Sequence, residues 1–103
     1  MVSPPITGPI APFSAVPVGG GVIVAKLGVV VTQPVEGEVV AFRTLCPHRG
    51  CQVKAVAAGT INCFCHGSRF RISDGAVVGG PATQPLTPVR VTVVDGVVVD
   101  ASG

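Results

Sequence analysis

Residues 46–68 read CPHRGCQVKAVAAGTINCFCHGS, and they hold all four cysteines and both histidines of the chain. These six residues fall into two short segments, 46–51 and 63–68, each with two cysteines and one histidine. A single cysteine or histidine is most often a structural residue, but ligand-type side chains cluster in this way at metal sites. The sequence therefore predicts a metal centre carried by two loops.

The residue types allow more than one kind of centre. A tetrahedral zinc ion would use two thiolates and two imidazoles, although Cys46 and His48 are closer together than the usual spacing of zinc ligands. A plant-type four-thiolate cluster needs Cys-x4-Cys-x2-Cys and a distant fourth cysteine, and only its first step is present. A third arrangement is a two-iron, two-sulfide cluster with cysteines on one iron and histidines on the other. The residues alone leave the choice between zinc and iron-sulfur open.

The spacing within the two segments carries a family resemblance. Cys-x-His-x-Gly-Cys followed by Cys-x-Cys-His-Gly-Ser resembles the Rieske iron-sulfur proteins, and the likeness extends over about residues 38–86. The resemblance implies a Rieske-type 2Fe-2S cluster held by two cysteines and two histidines. The implied ligands are Cys46, His48, Cys63 and His66. Loop one then comprises residues 45–51, and loop two comprises residues 63–70.

The other two cysteines separate branches of this family. Rieske ferredoxins and dioxygenases lack cysteines at the positions of Cys51 and Cys65. The resemblance to cytochrome bc complexes and arsenite oxidase implies a high-potential protein in which these two cysteines form a disulfide. Ser68 stands where the family has a serine that bonds a bridging sulfide. Phe70 stands where many members have a tyrosine that donates to a ligand sulfur, so we expect a lowered reduction potential.

Two further features are expected near the cluster. Residues 79–86, the proline loop, resemble the segment that covers the cluster in bc-type members, with Gly80 and Pro81 as the covering residues. Between residues 39 and 73 the chain has five cations and no acid. Positive charge favours the reduced state and attracts an acidic partner. The expected docking residues are Arg49, Arg69 and Arg71.

The rest of the chain predicts an all-β domain. Fourteen glycines, ten prolines and abundant valine favour short strands with frequent turns, and Asp95-Gly96 is a strong hairpin signal. We expect no helix. The resemblance implies a Rieske-type antiparallel β sandwich or small barrel with a cluster-binding subdomain made of the two loops. The apolar runs 29–31 and 97–99 predict strands covered on both faces.

The chain of 103 residues fits one domain. Its proline-rich start predicts an extended N-terminal arm over residues 1–12, followed by the domain proper over residues 13–103. The predicted strands are 14–18, 22–25, 29–32, 38–43, 53–57, 60–62, 70–72, 76–78, 89–94 and 97–99.

Composition excludes several functions. A formal net charge of +2 and only four aromatic residues argue against a nucleic-acid surface. No apolar run reaches the length of a membrane span. The resemblance implies one-electron transfer, from a quinol or donor oxidoreductase to a cytochrome or oxidase, with no substrate chemistry of its own. Two alternatives stay open: a Rieske ferredoxin that feeds an oxygenase, and a non-redox zinc-binding module.

A stable disulfide requires an oxidising compartment. We therefore expect the domain on the extracytoplasmic side of a bacterial cytoplasmic membrane. Contact with the membrane is expected only through an N-terminal anchor that the given chain lacks.

Overall fold

The structure is a computed structural model that describes residues 9–45, 51–63, 67–80 and 84–101. Those residues form short strands in antiparallel pairs and one 3-10 turn, Phe13–Ala15. The strands are β1 (Pro9–Pro12), β2 (Gly21–Val24), β3 (Val29–Val35), β4 (Glu38–Arg43), β5 (Ala55–Ala57), β6 (Thr60–Asn62), β7 (Arg69–Arg71), β8 (Val77–Gly79), β9 (Pro88–Val89), β10 (Val91–Val94) and β11 (Val97–Asp100). The predicted all-β antiparallel fold is confirmed.

The strands build three sheets. The outer sheet has the order β1-β11-β10, the middle sheet β2-β3-β4-β9, and the loop sheet β5-β6-β7-β8. One apolar cluster joins the outer and middle sheets, and a second joins the middle and loop sheets. The middle sheet is therefore covered on both faces. Loop one leaves it at the end of β4, and loop two connects β6 to β7 in the loop sheet.

Strand β3 shows why a run of valines is needed in the middle sheet. Val29, Val30 and Val31 have no exposed surface. Val30 packs in the cluster shared with the loop sheet, while Val29 and Val31 pack in the cluster shared with the outer sheet. Successive side chains of a strand point to opposite faces, so two-sided burial requires an uninterrupted apolar run. The prediction for residues 29–31 is confirmed.

The same prediction is wrong for residues 97–99. Only Val98 is fully buried, whereas Val97 and Val99 keep part of their surface in solvent. The outer sheet contributes one face to an apolar cluster, through Val98, so its strands need apolar side chains only at alternate positions.

The start of the chain also differs from expectation. We predicted a strand over residues 14–18, but Phe13–Ala15 is a 3-10 turn closed by Val16 N–H donating to the Phe13 carbonyl at 3.0 Å. The last residues of the predicted arm, Pro9–Pro12, form β1 at the edge of the outer sheet. Proline lacks the N–H that a central strand needs, but an edge strand tolerates this loss. Residues 1–8 lie outside the described part of the chain.

The predicted hairpin at Asp95-Gly96 is confirmed. Its residues have φ of 51° and 77°, the left-handed pair of a two-residue hairpin turn, and they join β10 to β11. Ala58-Gly59 has the same geometry, with φ of 53° and 79°, between β5 and β6. That turn lacks the asparagine or aspartate by which such turns are usually predicted from sequence.

A buried threonine ties the middle sheet to the loop sheet. The Thr32 hydroxyl donates to the Ile72 carbonyl at 2.7 Å, and Thr32 has no exposed surface. Thr32→Val keeps the shape but leaves that carbonyl without its partner, so we expect the free energy of unfolding to fall by about 1–3 kcal/mol. Urea unfolding measures this. Thr32→Ser should retain most of the stability, and Thr92→Val, at an exposed site in β10, should cost little. Equal stability of Thr32→Val and the natural protein would contradict the role of the bond.

Candidate metal centre

Loop one is held closed at its base. Leu45 and Gln52 form an isolated antiparallel bridge, and Val53 N–H donates to the Thr44 carbonyl at 2.7 Å. The buried Thr44 hydroxyl also donates to the side-chain carbonyl of Gln52. Both ends of the segment that carries the first predicted ligands are therefore fixed to the end of the middle sheet.

Loop two is closed by its own backbone. Cys63 N–H donates to the Ser68 carbonyl at 2.8 Å, and Gly67 N–H donates to the Cys63 carbonyl at 3.1 Å. Gly67 has φ of 77°, a conformation that glycine adopts without strain. Cys63 and Ser68 are 2% and 1% exposed, so the turn is held against the core.

The two loops meet at Cys63. Its Sγ lies 4.0 Å from the Gln52 carbonyl oxygen, immediately after loop one. Lys54 N–H donates to the Asn62 carbonyl at 2.9 Å, which extends the β5–β6 pairing toward both loops. The chain thus places the first cysteine of loop two beside the return of loop one.

The proline loop is pinned at both ends. A Cβ atom on Gly80 would lie 2.4 Å from the Ser68 Cα and 2.8 Å from the Gly67 carbonyl oxygen, so its backbone rests directly on loop two. At the other end, Leu86 N–H donates to the Gly75 carbonyl at 3.0 Å, and the Leu86 side chain is buried. The predicted cover therefore starts against loop two.

The cysteines of the described part are in two chemical states. Cys63 is a free, buried thiol, whereas Cys51 is disulfide-bonded. Both pack in the cluster shared by the middle and loop sheets. The sulfur atom to which Cys51 is bonded is not part of the described residues.

Phe70 belongs to the same apolar cluster as these cysteines. It is completely buried in the same cluster as Cys63, and its neighbours include Ile61 and Val53. A phenylalanine at this position contributes apolar area and no hydrogen-bond donor. Position 70 therefore offers no O–H to a sulfur ligand.

The charges around the loops are less uniform than the sequence indicates. The Arg71 guanidinium donates to both carboxylate oxygens of Asp74, at 2.9 and 2.8 Å, and Ala76 N–H donates to the same carboxylate at 3.0 Å. The hydrogen bond from Arg71 lowers the pKa of Asp74 to about 2, and the same pair raises the pKa of Arg71. Asp74 follows immediately after the acid-free stretch, so one of its five cations is already paired.

Arg69 is held differently. A Cβ on Gly79 would lie 3.0 Å from a terminal nitrogen of Arg69, which shows that the exposed guanidinium lies over the glycine in the next strand. Among the described residues no ion pair to Arg69 is present.

The structure describes part of the predicted site. Cys63, Cys51, Ser68, Phe70 and Gly80 come together at one end of the loop sheet. The predicted residues outside the described ranges are Cys46, His48, Arg49, Cys65, His66 and Pro81. Within those ranges no group of three or more potential ligands gathers, since one predicted ligand is described. In the same ranges, no helix is long and apolar enough to cross a membrane.

These features define an all-β domain with two closed loops at one end, where the sequence predicts a metal centre. The chain matches the family model of the Rieske [2Fe-2S] domain over residues 10–94, and it belongs to that family. Membership implies a Rieske-type 2Fe-2S cluster. The residues present fit this group: a buried, unoxidised thiol lies where both loops meet, and thiolates are the ligands that iron-sulfur clusters use.

Relatives of several kinds share the sequence. The chain is 43% identical over 54 residues to a putative respiratory nitrate reductase Rieske subunit of Haloferax mediterranei, covering 52% of this chain and 24% of the relative. It is 37% identical over 68 residues to the cytochrome bc1 complex Rieske iron-sulfur subunit of Streptomyces lividans, covering 63% and 40%. The chain thus spans less than half of the length of these curated relatives.

Solved structures cover nearly the whole fold. The plasma membrane Rieske protein of Synechocystis superposes with a TM-score of 0.73 at 26% identity, over 93% of this chain and 100% of that one. A ferredoxin of Sphingomonas yanoikuyae superposes with a TM-score of 0.71, also at 26% identity, over 94% and 99%. The architecture is therefore shared by Rieske proteins of different types.

Proposed function

We propose that this chain is an electron-transfer domain that accepts one electron from a donor and passes it to an acceptor, without making or breaking substrate bonds. The observation that carries the proposal is the free, buried Cys63 at the junction of two closed loops, in a chain whose Cys51 is disulfide-bonded. A Rieske-type cluster, when bound, supplies a centre that exchanges a single electron.

The ligands in this proposal are Cys46, His48, Cys63 and His66, and the disulfide joins Cys51 to Cys65. The free state of Cys63 agrees with a ligand role, and the bonded state of Cys51 agrees with a role as a staple. A disulfide between the loops would hold together two segments that are otherwise joined by backbone contacts at their bases.

The chain's own residues shape the site in three ways. Phe70 and its apolar neighbours exclude water beneath Cys63. Gly80 lets the proline loop rest on loop two and shield it. Ser68 is buried beside Cys63 and is the residue that we assign to tuning the potential. Burial and hydrogen bonds near the sulfur atoms are the levers by which a protein sets such a potential.

The proposed electron donor is a quinol or a donor oxidoreductase, and the proposed acceptor is a cytochrome or oxidase. The relatives that are subunits of a bc1 complex and of a nitrate reductase support this range. Because stable disulfides persist in oxidising compartments, the disulfide-bonded Cys51 favours an extracytoplasmic location.

A Rieske ferredoxin that serves an oxygenase is the second candidate, and the likeness to the Sphingomonas ferredoxin favours it. The disulfide-bonded Cys51 argues for the first. The reduction potential separates the two, because Rieske centres span from about −150 to +300 mV. A value near the upper end supports the quinol-linked or cytochrome-linked domain, and one near the lower end supports the ferredoxin.

The experiment that tests the proposal is a visible and EPR spectrum of the purified protein, recorded as isolated and after dithionite. We expect a red-brown oxidised form with about two irons per chain, and a reduced signal whose average g lies below that of four-cysteine ferredoxins. A colourless, EPR-silent protein with one zinc per chain would overturn the proposal.

A further inference from the structure

The loop sheet has one face in the core and one toward solvent. Cross-strand partners on its inner face form an unbroken apolar row: Val56, Ile61, Phe70 and Val77. The outer face has rows of small or polar residues with the arginines of β7: Ala55, Asn62, Arg69 and Gly79, and beside them Ala57, Thr60 and Arg71. The residues that pair with the two arginines on this outer face are small or uncharged.

Within the described strands of the loop sheet, Arg69 is the exposed cation that has no ion pair. It directly follows Ser68 of loop two, and the Gly79 over which it lies directly precedes Gly80 of the proline loop. The guanidinium thus lies beside two of the segments that surround the proposed centre. It is exposed, and no ion pair to it is present among the described residues. A planar guanidinium held in this way matches the two oxygens of a carboxylate.

Arg71, two residues further along β7, points its charge at a partner within the chain. Asp74 takes two hydrogen bonds from it, so the pair presents little net charge. The charge of strand β7 is therefore asymmetric: the unpaired Arg69 lies at the end next to loop two, and the paired Arg71 lies at the other end.

We propose that the outer face of the loop sheet, centred on Arg69, docks a carboxylate-bearing surface of the redox partner, and that Asp74 withholds Arg71 from it. This inference rests on the proposed electron-transfer function. Docking through this end brings an acidic surface next to loop two, which carries two of the proposed cluster ligands. The neutralised pair restricts the attraction to that end of the sheet.

The test uses small redox probes of opposite charge on the holoprotein. After reduction by dithionite and removal of the excess, each protein molecule gives one electron to ferricyanide, which becomes ferrocyanide, and stopped-flow absorbance follows the cluster. At low ionic strength, Arg69→Gln should slow this anionic probe roughly threefold and speed the cationic tris(phenanthroline) cobalt(III), since one unit of local charge is removed. Asp74→Asn should speed ferricyanide by a similar factor.

Two matched variants control for net charge. Arg90→Gln removes one exposed cation between β9 and β10, and Asp95→Asn removes one anion at the β10–β11 turn. Both should leave the rates within about a third of the natural protein. Opposite effects of Arg69→Gln on the two probes support docking, because a shifted potential would move both rates in the same direction. Equal slowing by Arg69→Gln and Arg90→Gln would overturn the docking face. The absence of an EPR signal from the dithionite-reduced natural protein would overturn the proposed function itself.

An oligoglutamate peptide supplies the carboxylate itself. At low salt it should slow the ferricyanide reaction of the natural protein and have no effect on Arg69→Gln. Equal inhibition of both proteins would show that carboxylates bind elsewhere and would contradict the inference.

Discussion

A Cys63→Ser variant is expected to purify without the visible absorption and the reduced EPR signal of the natural protein. The Cys63 thiol is 2% exposed and lies where loop one returns beside loop two, so water has little access to take its place. A serine hydroxyl stays protonated at neutral pH and is a poor ligand for iron in a sulfide cluster. Iron content, absorbance and EPR of the reduced sample measure the loss.

Cys51→Ser is the matched control for that variant. It removes a cysteine from the same apolar cluster, but one that is disulfide-bonded rather than free. We expect the cluster to be retained on purification, with a free energy of unfolding lower by about 2–4 kcal/mol because the staple is lost. A Cys63→Ser protein with full iron and an unchanged spectrum would contradict the ligand role of Cys63.

Gly80→Ala is expected to destabilise the holoprotein by more than about 2 kcal/mol and to shift the reduction potential. Gly80 has φ of 88°, so any side chain is strained there. Its Cβ would also lie 2.4 Å from the Ser68 Cα and 2.7 Å from the Ser68 nitrogen, both backbone atoms that cannot move aside. We therefore expect the backbone at Gly80 to move away from loop two and admit water. Thermal unfolding and a redox titration measure the two effects.

Gly37→Ala separates the strain from the clash. Gly37 has φ of 85°, close to that of Gly80, but no atom lies within 4 Å of the position of its Cβ. We expect Gly37→Ala to lose about 1 kcal/mol and to keep the potential unchanged. If Gly80→Ala behaved like Gly37→Ala in both measurements, the close packing of the proline loop on loop two would not matter to the centre.

Much of the fold could be predicted from local sequence. Strands β4 and β6 have the predicted bounds, since each is flanked by turn residues on one side and by a cysteine loop on the other. Strand β1 could not be predicted, because its two prolines read as a break and only pairing with β11 makes it a strand. The predicted strand over residues 89–94 is divided at Arg90, where the chain passes from the middle sheet to the outer sheet.

The site also has features that follow from local sequence and features that depend on tertiary packing. The ligand-bearing segments were predictable because their spacing is local. The contacts that hold them depend on tertiary packing: Thr44 with Gln52, Gly80 with Ser68, and Arg69 over Gly79. No local pattern announces any of these. The ion pair between Asp74 and Arg71 could have been predicted, because an arginine three residues before an Asp-Gly turn is well placed to pair with the aspartate.

The burial of β3 on both faces has a consequence for how the domain comes apart. Because this one strand supplies Val30 to one apolar cluster and Val29 and Val31 to the other, neither cluster has a complete wall without it. Unfolding of the outer sheet would expose one face of β3 to water. It would thereby weaken the packing of the opposite face of β3 against the loop sheet. We therefore expect the three sheets to unfold together in a single cooperative event. The two loops that carry the proposed cluster ligands then lose their structure with the rest of the domain.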